Sequence, residues 1–333
     1  MANYAIFDEQ YYLAQYPWVK PAIDAGIIKS GGDHFTQFGQ AAGLTQVSRY
    51  FDEETYVAQN PDIARFVRTP NNPNAPFASG LDHFIQFGYE EGRTRVSPDY
   101  DEAFYLKRYP VLAPFVENGT FKSGFEHFVK FGAKEGLYAN TFFEAQYLLQ
   151  NPAVATAVKA GDFQTGGEHY RKFGQFEPDR TATFFGTSGN DILTGFGVGN
   201  VELIGVEVGV GINGGREYKS RGSDEFDTLI GGSGSDTFVL GRRVLTTNSI
   251  GKLLSVDEFL YQGPGFATIQ NFTQGQDRIQ LPFNLGRIFP INNNRDLAIQ
   301  FGSDTIAVIE GGGNLSLNQL SVRGGGDLSI FLG

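Results

Sequence analysis

The chain has 333 residues, no cysteine and a net charge of −11. The length allows two domains, and the lack of cysteine excludes disulfides and thiolate metal sites. The acidic excess is spread evenly, −6 over residues 1–180 and −5 over 181–333, which argues against nucleic acid, since that needs a basic face, and against docking on anionic membranes.

The first 180 residues hold an internal repeat. Four segments align: Phe7-Asp8 with Tyr12 and Tyr16-Pro17, Phe51-Asp52 with Tyr56 and Asn60-Pro61, Tyr100-Asp101 with Tyr105 and Tyr109-Pro110, and Phe142-Phe143 with Tyr147 and Asn151-Pro152. The prolines stand 44, 49 and 42 residues apart. Each suits a first helical position, where the missing N–H costs nothing. Apolar residues follow at i, i+3 and i+4 (Val19/Ala22/Ile23, Ile63/Phe66/Val67, Leu112/Phe115/Val116, Val154/Ala157/Val158), one face of a helix. Gly26, Gly119 and Gly161 stand where C-terminal caps belong; the second copy has a Pro- and Asn-rich loop there instead.

A second helix is expected in each copy. Ser30 with Asp33, Ser79 with Asp82, Ser123 with Glu126 and Thr165 with Glu168 have capping-box spacing. His-aromatic-x-x-Phe-Gly follows, closed by Gly43, Gly92 and Gly136 in three copies. His34, His83, His127 and His169 share one repeat position. Zinc ligands come in closely spaced pairs, so these single histidines are expected to pack on their own aromatics and donate to a backbone carbonyl. Phe35/Phe38 and their equivalents are expected as core pairs. The unit resembles a short repeat found beside RTX-type sequence in secreted bacterial proteins. Such units stack into arrays that offer extended binding or stacking surfaces.

Composition changes near Glu177-Pro178-Asp179-Arg180. Residues 1–180 hold 16 Gly and 19 Phe, and residues 181–333 hold 28 Gly and 12 Phe. Two domains are therefore expected, a helical array over 1–180 and a strand-and-turn domain over 181–333.

The organising stretch of the second half is residues 222–240. Gly231-Gly232-Ser233-Gly234-Ser235-Asp236-Thr237-Phe238-Val239 reads G-G-x-G-x-D-x-φ-x, with φ apolar. A looser copy over 222–230 places Asp227 and Leu229 at the matching positions, and Gly189-Asn190-Asp191-Ile192-Leu193 matches again. The glycines permit a tight turn, the Asp ends it with its carboxylate free for a hard cation, and a short strand follows. The pattern resembles the hemolysin-type calcium-binding (RTX) repeat. That resemblance implies a parallel β-roll and calcium held by Asp191, Asp227 and Asp236, with Asp224 nearby, completed by glycine carbonyls at Gly232 and Gly234.

In that family a site is completed one coil, or 18 residues, away, where this chain has Tyr218 and Gly209. Partial sites are therefore expected. The alternative is that these aspartates only cap turns. Beyond Phe266 hairpins are expected, one from residues 266–272 into Arg278-Ile279-Gln280-Leu281, another from Asp296 through Gly302 to Ile309.

The expected fold class is α+β in two domains: an N-terminal all-α repeat array, then a degenerate parallel β-roll with an antiparallel β cap. H-E-x-x-H, G-x-S-x-G and P-loop motifs do not occur, and Gly209-Val210-Gly211-Ile212-Asn213-Gly214 lacks the helix its pattern should open. The chain reads as non-enzymatic: a secreted, calcium-binding structural protein of a bacterial surface or matrix that assembles into an oligomer or polymer. The alternative is an adhesin whose helices bind cell-surface glycan or protein; an enzyme with an unrecognised carboxylate site is a third reading.

No apolar run approaches the ~20 residues of a membrane span. The start, MANYAIFDEQ, lacks the basic and apolar regions of a classical signal peptide. Extracellular location by type I secretion is therefore expected, with the address in the last ~60 residues. The closing Asp327-Leu328-Ser329-Ile330-Phe331-Leu332 resembles the acidic-then-apolar tail of such substrates; a final edge strand is the other reading. Tyr4, Ile6, Phe7, Tyr11 and Tyr12 form an aromatic face that either meets another copy or folds back on its own helices.

Overall fold

The computed structural model describes residues 2–211, 215–247, 253–282, 287–322 and 330–332. The chain forms two compact units, Met1–Asn140 and Thr141–Gly333. The division falls about forty residues before the composition change, and the fourth helical copy belongs with the strands.

The reason lies in how each copy is closed. The first helices are Glu9–Gln15, Glu53–Gln59, Glu102–Arg108 and Glu144–Gln150. Asp8, Asp52 and Asp101 cap three of them through the carboxylate, while Phe143 offers no side-chain cap to the fourth. The N–H of the capping residue then donates to a carbonyl at the end of the same copy. Asp8 reaches Val47, Asp52 reaches Val96, Asp101 reaches Ala139 and Phe143 reaches Thr183, each at 2.8 Å. Thr183 lies inside the first β-strand. The closing segment of the fourth copy is thus the opening strand of the sheet, and the two cannot be separated at residue 180.

The second helices open at Gly31–His34, Gly80–His83, Gly124–His127 and Gly166–Lys172. In the first three copies they pass into a π-helical turn, Phe35–Gly39, Phe84–Gly88 and Phe128–Gly132. Ser30, Ser79, Ser123 and Thr165 cap them as expected. Asp33, Asp82, Glu126 and Glu168 reach one residue further back than a capping box, to the N–H of Lys29, Ala78, Lys122 and Gln164. The next two N–H groups in each copy go to a glutamate of the first helix. Gly31 and Gly32 donate to Glu9, Gly80 and Leu81 to Glu53, Gly124 and Phe125 to Glu102, and Gly166 and Gly167 to Glu144. Two orphan donors of each helix start are satisfied together.

Only part of the expected helical core is buried. Val19, Ile63, Leu112 and Val154 are inside, but Phe66 and Phe115 are exposed. Phe35, Phe84, Phe128 and Tyr170 are buried, whereas Phe38, Phe87, Phe131 and Phe173 are about half exposed. The second ring of each expected core pair is therefore a surface ring. The aromatic face near the N-terminus folds back: Ile6, Tyr11 and Tyr12 are buried, and Phe7 packs on Tyr12 and Phe35 at 5.1 and 5.5 Å.

The strands, in order, are β1 Thr181–Gly186, β2 Ile192–Thr194, β3 Asn200–Val210, β4 Arg216–Tyr218, β5 Phe226–Ile230, β6 Ser235–Val239, β7 Gly241–Thr247, β8 Leu253–Phe259, β9 Phe266–Gln270, β10 Arg278–Leu281, β11 Arg287–Ile291, β12 Asp296–Phe301, β13 Asp304–Ile309, β14 Gln319–Val322 and β15 Ile330–Leu332. One sheet has the order β1-β3-β6-β10-β15-β14, with β4 paired to β3, and the other β11-β12-β13-β9-β5-β2. Within the first, β1/β3, β3/β6 and β6/β10 are parallel. Within the second, β2/β5, β5/β9 and β9/β13 are parallel. From β1 to β10, apart from β4 and the β7–β8 hairpin, the chain alternates between the sheets.

Register places like on like. Phe184, Leu203, Phe238, Ile279 and Leu332 align across one sheet. Leu193, Leu229, Ile269, Ile309 and Leu297 align across the other. All ten are buried. Each fully buried large apolar side chain in these rows stabilises the unit by about 1.5–3 kcal/mol.

Two expectations are corrected here. β9 and β10 do not form a hairpin but enter different sheets, where β9 pairs with β5 and β13 and β10 with β6 and β15; β12 and β13 do form the expected hairpin. β3 runs on to Val210, and β4 folds back on it antiparallel. The last strand, β15, is not an edge strand, since it lies between β10 and β14. Residues 327–329 of the acidic-then-apolar tail, and 212–214 of the glycine motif, lie outside the described residues.

Candidate functional site

The aspartates singled out by the repeat all precede an apolar residue by two. In a strand, residues i and i+2 share a face, so a carboxylate two before an inward Leu or Phe also points inward. Asp227 and Asp236 are accordingly buried, each about 1% exposed. Three of their four carboxylate oxygens take N–H or O–H donors.

Asp191 Oδ2 accepts from the N–H and hydroxyl of Thr187 at 2.7 and 2.9 Å. The Asp191 N–H itself donates to Asp227 Oδ1 at 2.7 Å, and Asp227 Oδ2 accepts from the Tyr261 hydroxyl at 2.6 Å. The arrangement repeats at Asp236. Its Oδ2 accepts from Gly232 N–H at 2.7 Å, its own N–H donates to Asp277 Oδ1 at 2.9 Å, and Asp277 Oδ2 accepts from Thr273 N–H at 2.7 Å. Asp191, Asp236 and Asp277 each close their own turn, and Asp227 and Asp277 accept the N–H of the partner aspartate.

The structure therefore joins Asp191 to Asp227 and Asp236 to Asp277, in two separate rows. Asp224 joins neither; it is an exposed turn residue at φ 61°. Gly232 contributes its N–H, and Gly234 lets the turn lie against the carbonyls of Val198 and Gly199, where a Cβ would collide. The partners one rung away are 36 and 41 residues distant, not 18, because the chain makes excursions between rungs. Asp277 and Tyr261 were missed for that reason, although Asp277-Arg278-Ile279 carries the same D-x-φ signal.

Among the described residues, two buried carboxylate oxygens have no hydrogen-bond partner, Asp236 Oδ1 and Glu225 Oε2. Burial, reinforced by the neighbouring Asp277, pushes the Asp236 carboxyl up to about 7. Burial, reinforced by Asp227 and Asp191, does the same to Glu225. Burial also pushes the Tyr261 phenol well up, with Asp227 adding to it, so it stays a donor. Among the described residues, no group of three or more His, Asp or Glu side chains is placed to hold a metal ion. No helix among them is long and apolar enough to cross a membrane.

The four histidines occupy equivalent places, as their spacing implied, but their partner is not a carbonyl. In every copy Nδ1 meets the hydroxyl of the first-helix tyrosine: Tyr12 with His34, Tyr56 with His83, Tyr105 with His127 and Tyr147 with His169.

Comparison with known proteins finds no matching family model, curated protein or solved structure.

Proposed function

We propose that this chain is a non-catalytic structural protein of a bacterial cell surface or extracellular matrix, secreted by the type I route and assembling with copies of itself. Its C-terminal unit is read as a degenerate parallel β-roll closed by antiparallel strands. The observation that carries this reading is the alternation of strands between two sheets, with Phe184, Leu203, Phe238 and Ile279 stacked rung on rung. A stack in which each rung touches its neighbours is quasi-one-dimensional, as are helical copies closed one after another. That geometry suits extended, layered material.

Calcium enters this reading at one position. Asp191 Oδ2 and both Asp227 oxygens already accept N–H or O–H donors, which makes them weaker candidates than Asp236. Asp236 Oδ1 is buried and unpartnered, and would supply one of the six to eight oxygens calcium takes. Melting the protein in calcium and in chelator tests it. A ligand of the folded state at a hundredfold excess over its Kd stabilises by about 2.7 kcal/mol, and Asp236→Ala should abolish that rise. Identical curves would remove calcium from the account. Sedimentation and electron microscopy at high protein concentration test assembly: polymers or sheets support it, and a strict monomer in both calcium and chelator overturns it.

A second reading, an adhesin, is favoured by Phe38, Phe87, Phe131 and Phe173, half-exposed rings at one place in each helical copy. Exposed aromatic faces stack on sugars. Binding to a glycan array that is lost on replacing these rings by Ser would put this reading first.

A further inference from the structure

Every histidine of the chain sits in the same hydrogen bond, and its geometry suggests a response to acid. The Tyr hydroxyls of Tyr12, Tyr56, Tyr105 and Tyr147 stand 2.8, 2.9, 2.8 and 2.9 Å from Nδ1 of His34, His83, His127 and His169. The tyrosine comes from the first helix of the copy and the histidine from the second, so the bond ties the two helices together. Burial pushes the tyrosine pKa values up. The phenol therefore keeps its proton, and it can donate it to Nδ1 of an imidazole that carries its own proton on Nε2.

The hydroxyl is held in that role. The glycine of each Phe-Gly pair, Gly39, Gly88, Gly132 and Gly174, lies so close that a Cβ there would strike the oxygen. Aromatic edges enclose the imidazoles. Trp18 and Phe38 stand 5.1 and 5.8 Å from His34, Phe77 and Phe87 4.9 and 5.9 Å from His83, Phe121 and Phe131 5.1 and 5.6 Å from His127, and Phe163 and Phe173 4.9 and 6.0 Å from His169.

We propose that these Tyr–His bonds are an acid-sensitive latch within each helical copy: protonation of the imidazole removes the acceptor at Nδ1, and the two helices loosen. An imidazolium has donors only, so the phenol must turn its proton away from Nδ1. Burial lowers the pKa of His83, His127 and His169. The charged groups facing them do not cancel that effect. Around His83, Glu91, Asp62 and Asp82 favour the charged form and Arg93 opposes it. Glu135 favours it at His127; at His169 Arg180 opposes it and Glu177 favours it.

A folded-state pKa below the unfolded one means that the folded chain binds fewer protons. Stability is then present above the unfolded value of ~6.5 and is lost as pH falls from there through the folded value. Because the latch recurs copy after copy, the loss is shared by several sites and steeper than a single histidine gives.

The test uses the full chain. The melting temperature of the helical far-UV signal should fall by several degrees between pH 7.5 and pH 5.5. Tyr105→Phe, which keeps the ring and removes the hydroxyl, should melt lower at pH 7.5 and respond less to acid. Nitrogen-15 NMR of the wild-type histidines reads the latch even if the variant fails to fold. Protons on Nε2 and bare Nδ1 are expected, with titration midpoints below ~6.5 at His83, His127 and His169. Protons on Nδ1, or midpoints at or above that value, overturn the proposal, as does an unchanged melting temperature across the pH range.

Discussion

Asp236 and Asp277 lie 41 residues apart, yet the backbone N–H of Asp236 donates to Asp277 Oδ1 at 2.9 Å. The same bond joins Asp191 to Asp227 in the other row. A carboxylate that closes its own turn and also accepts the N–H of a neighbouring strand, as Asp277 does, couples the two segments directly. The cost is visible at Asp236, where one oxygen is buried without a partner and a second carboxylate stands beside it. Four expectations follow from contacts of this kind.

Removing the charge of Asp236 should stabilise the strand unit at alkaline pH. Its folded-state pKa is raised from the ordinary carboxylate value to about 7. The folded state thus retains a proton that the unfolded chain releases near pH 4. Stability contributed by this group is full at low pH and falls as pH rises through the window up to about 7. Asp236→Asn keeps an acceptor for Gly232 and cannot ionise. In chelator it should melt above wild type at pH 8 and close to it at pH 5; equal melting at pH 8 would contradict this account.

Tyr261→Phe should destabilise the same unit by about 1–3 kcal/mol, the usual cost of leaving a buried polar group unpaired. The hydroxyl donates to Asp227 Oδ2, and both residues are fully buried. Urea titration at pH 7 measures the change. The denaturant midpoint should shift with little change in slope, since the ring still fills its place.

Two glycine substitutions four residues apart should separate crowding from backbone strain. A Cβ on Gly132 meets the Tyr105 hydroxyl, whereas one on Gly136 meets nothing within 4 Å but sits at φ +70°. Gly132→Ala should cost about 1–3 kcal/mol by overpacking and perturb the His127 resonance. Gly136→Ala should cost about 1–2 kcal/mol through its left-handed backbone and leave His127 unmoved. Thermal melts and a histidine spectrum of each variant check both.

A fragment of residues 141–333 should unfold in one cooperative transition, and a fragment of residues 181–333 should not. Phe143 N–H bonds Thr183, and Phe142 and Tyr170 pack on Phe184 at 5.7 and 6.1 Å. Cutting at 180 strips that cover from β1 and exposes its apolar side. Limited proteolysis and heteronuclear spectra of both fragments decide it; equal protection would place the fourth copy outside the unit.

Local patterning was readable in the chain itself. Proline at the first helical position, the Ser or Thr cap and glycine after the last turn each act within a few residues, so the helical copies could be marked out in advance. The D-x-φ frame likewise located three of the four row aspartates. It also held, by its period of two, the reason their carboxylates face inward, a consequence first evident once Leu229 and Phe238 were seen inside.

Other features were decided by contacts between distant segments. Thr183 reads as plain strand, and only packing makes it the closing residue of the fourth helical copy. Phe35 and Phe38 share a helical spacing and an identical side chain, but packing against the first helix of the copy buries one and leaves the other exposed. Asp277 and Tyr261 lie beyond excursions whose length follows no period, so their pairing with Asp236 and Asp227 is a property of the assembled sheets. Sequence determined which residues could cap, turn or alternate, because those preferences act over one turn of chain. Tertiary structure decided which carboxylate met which donor, because a buried carboxylate oxygen is held by whatever N–H or O–H the neighbouring rung brings to it.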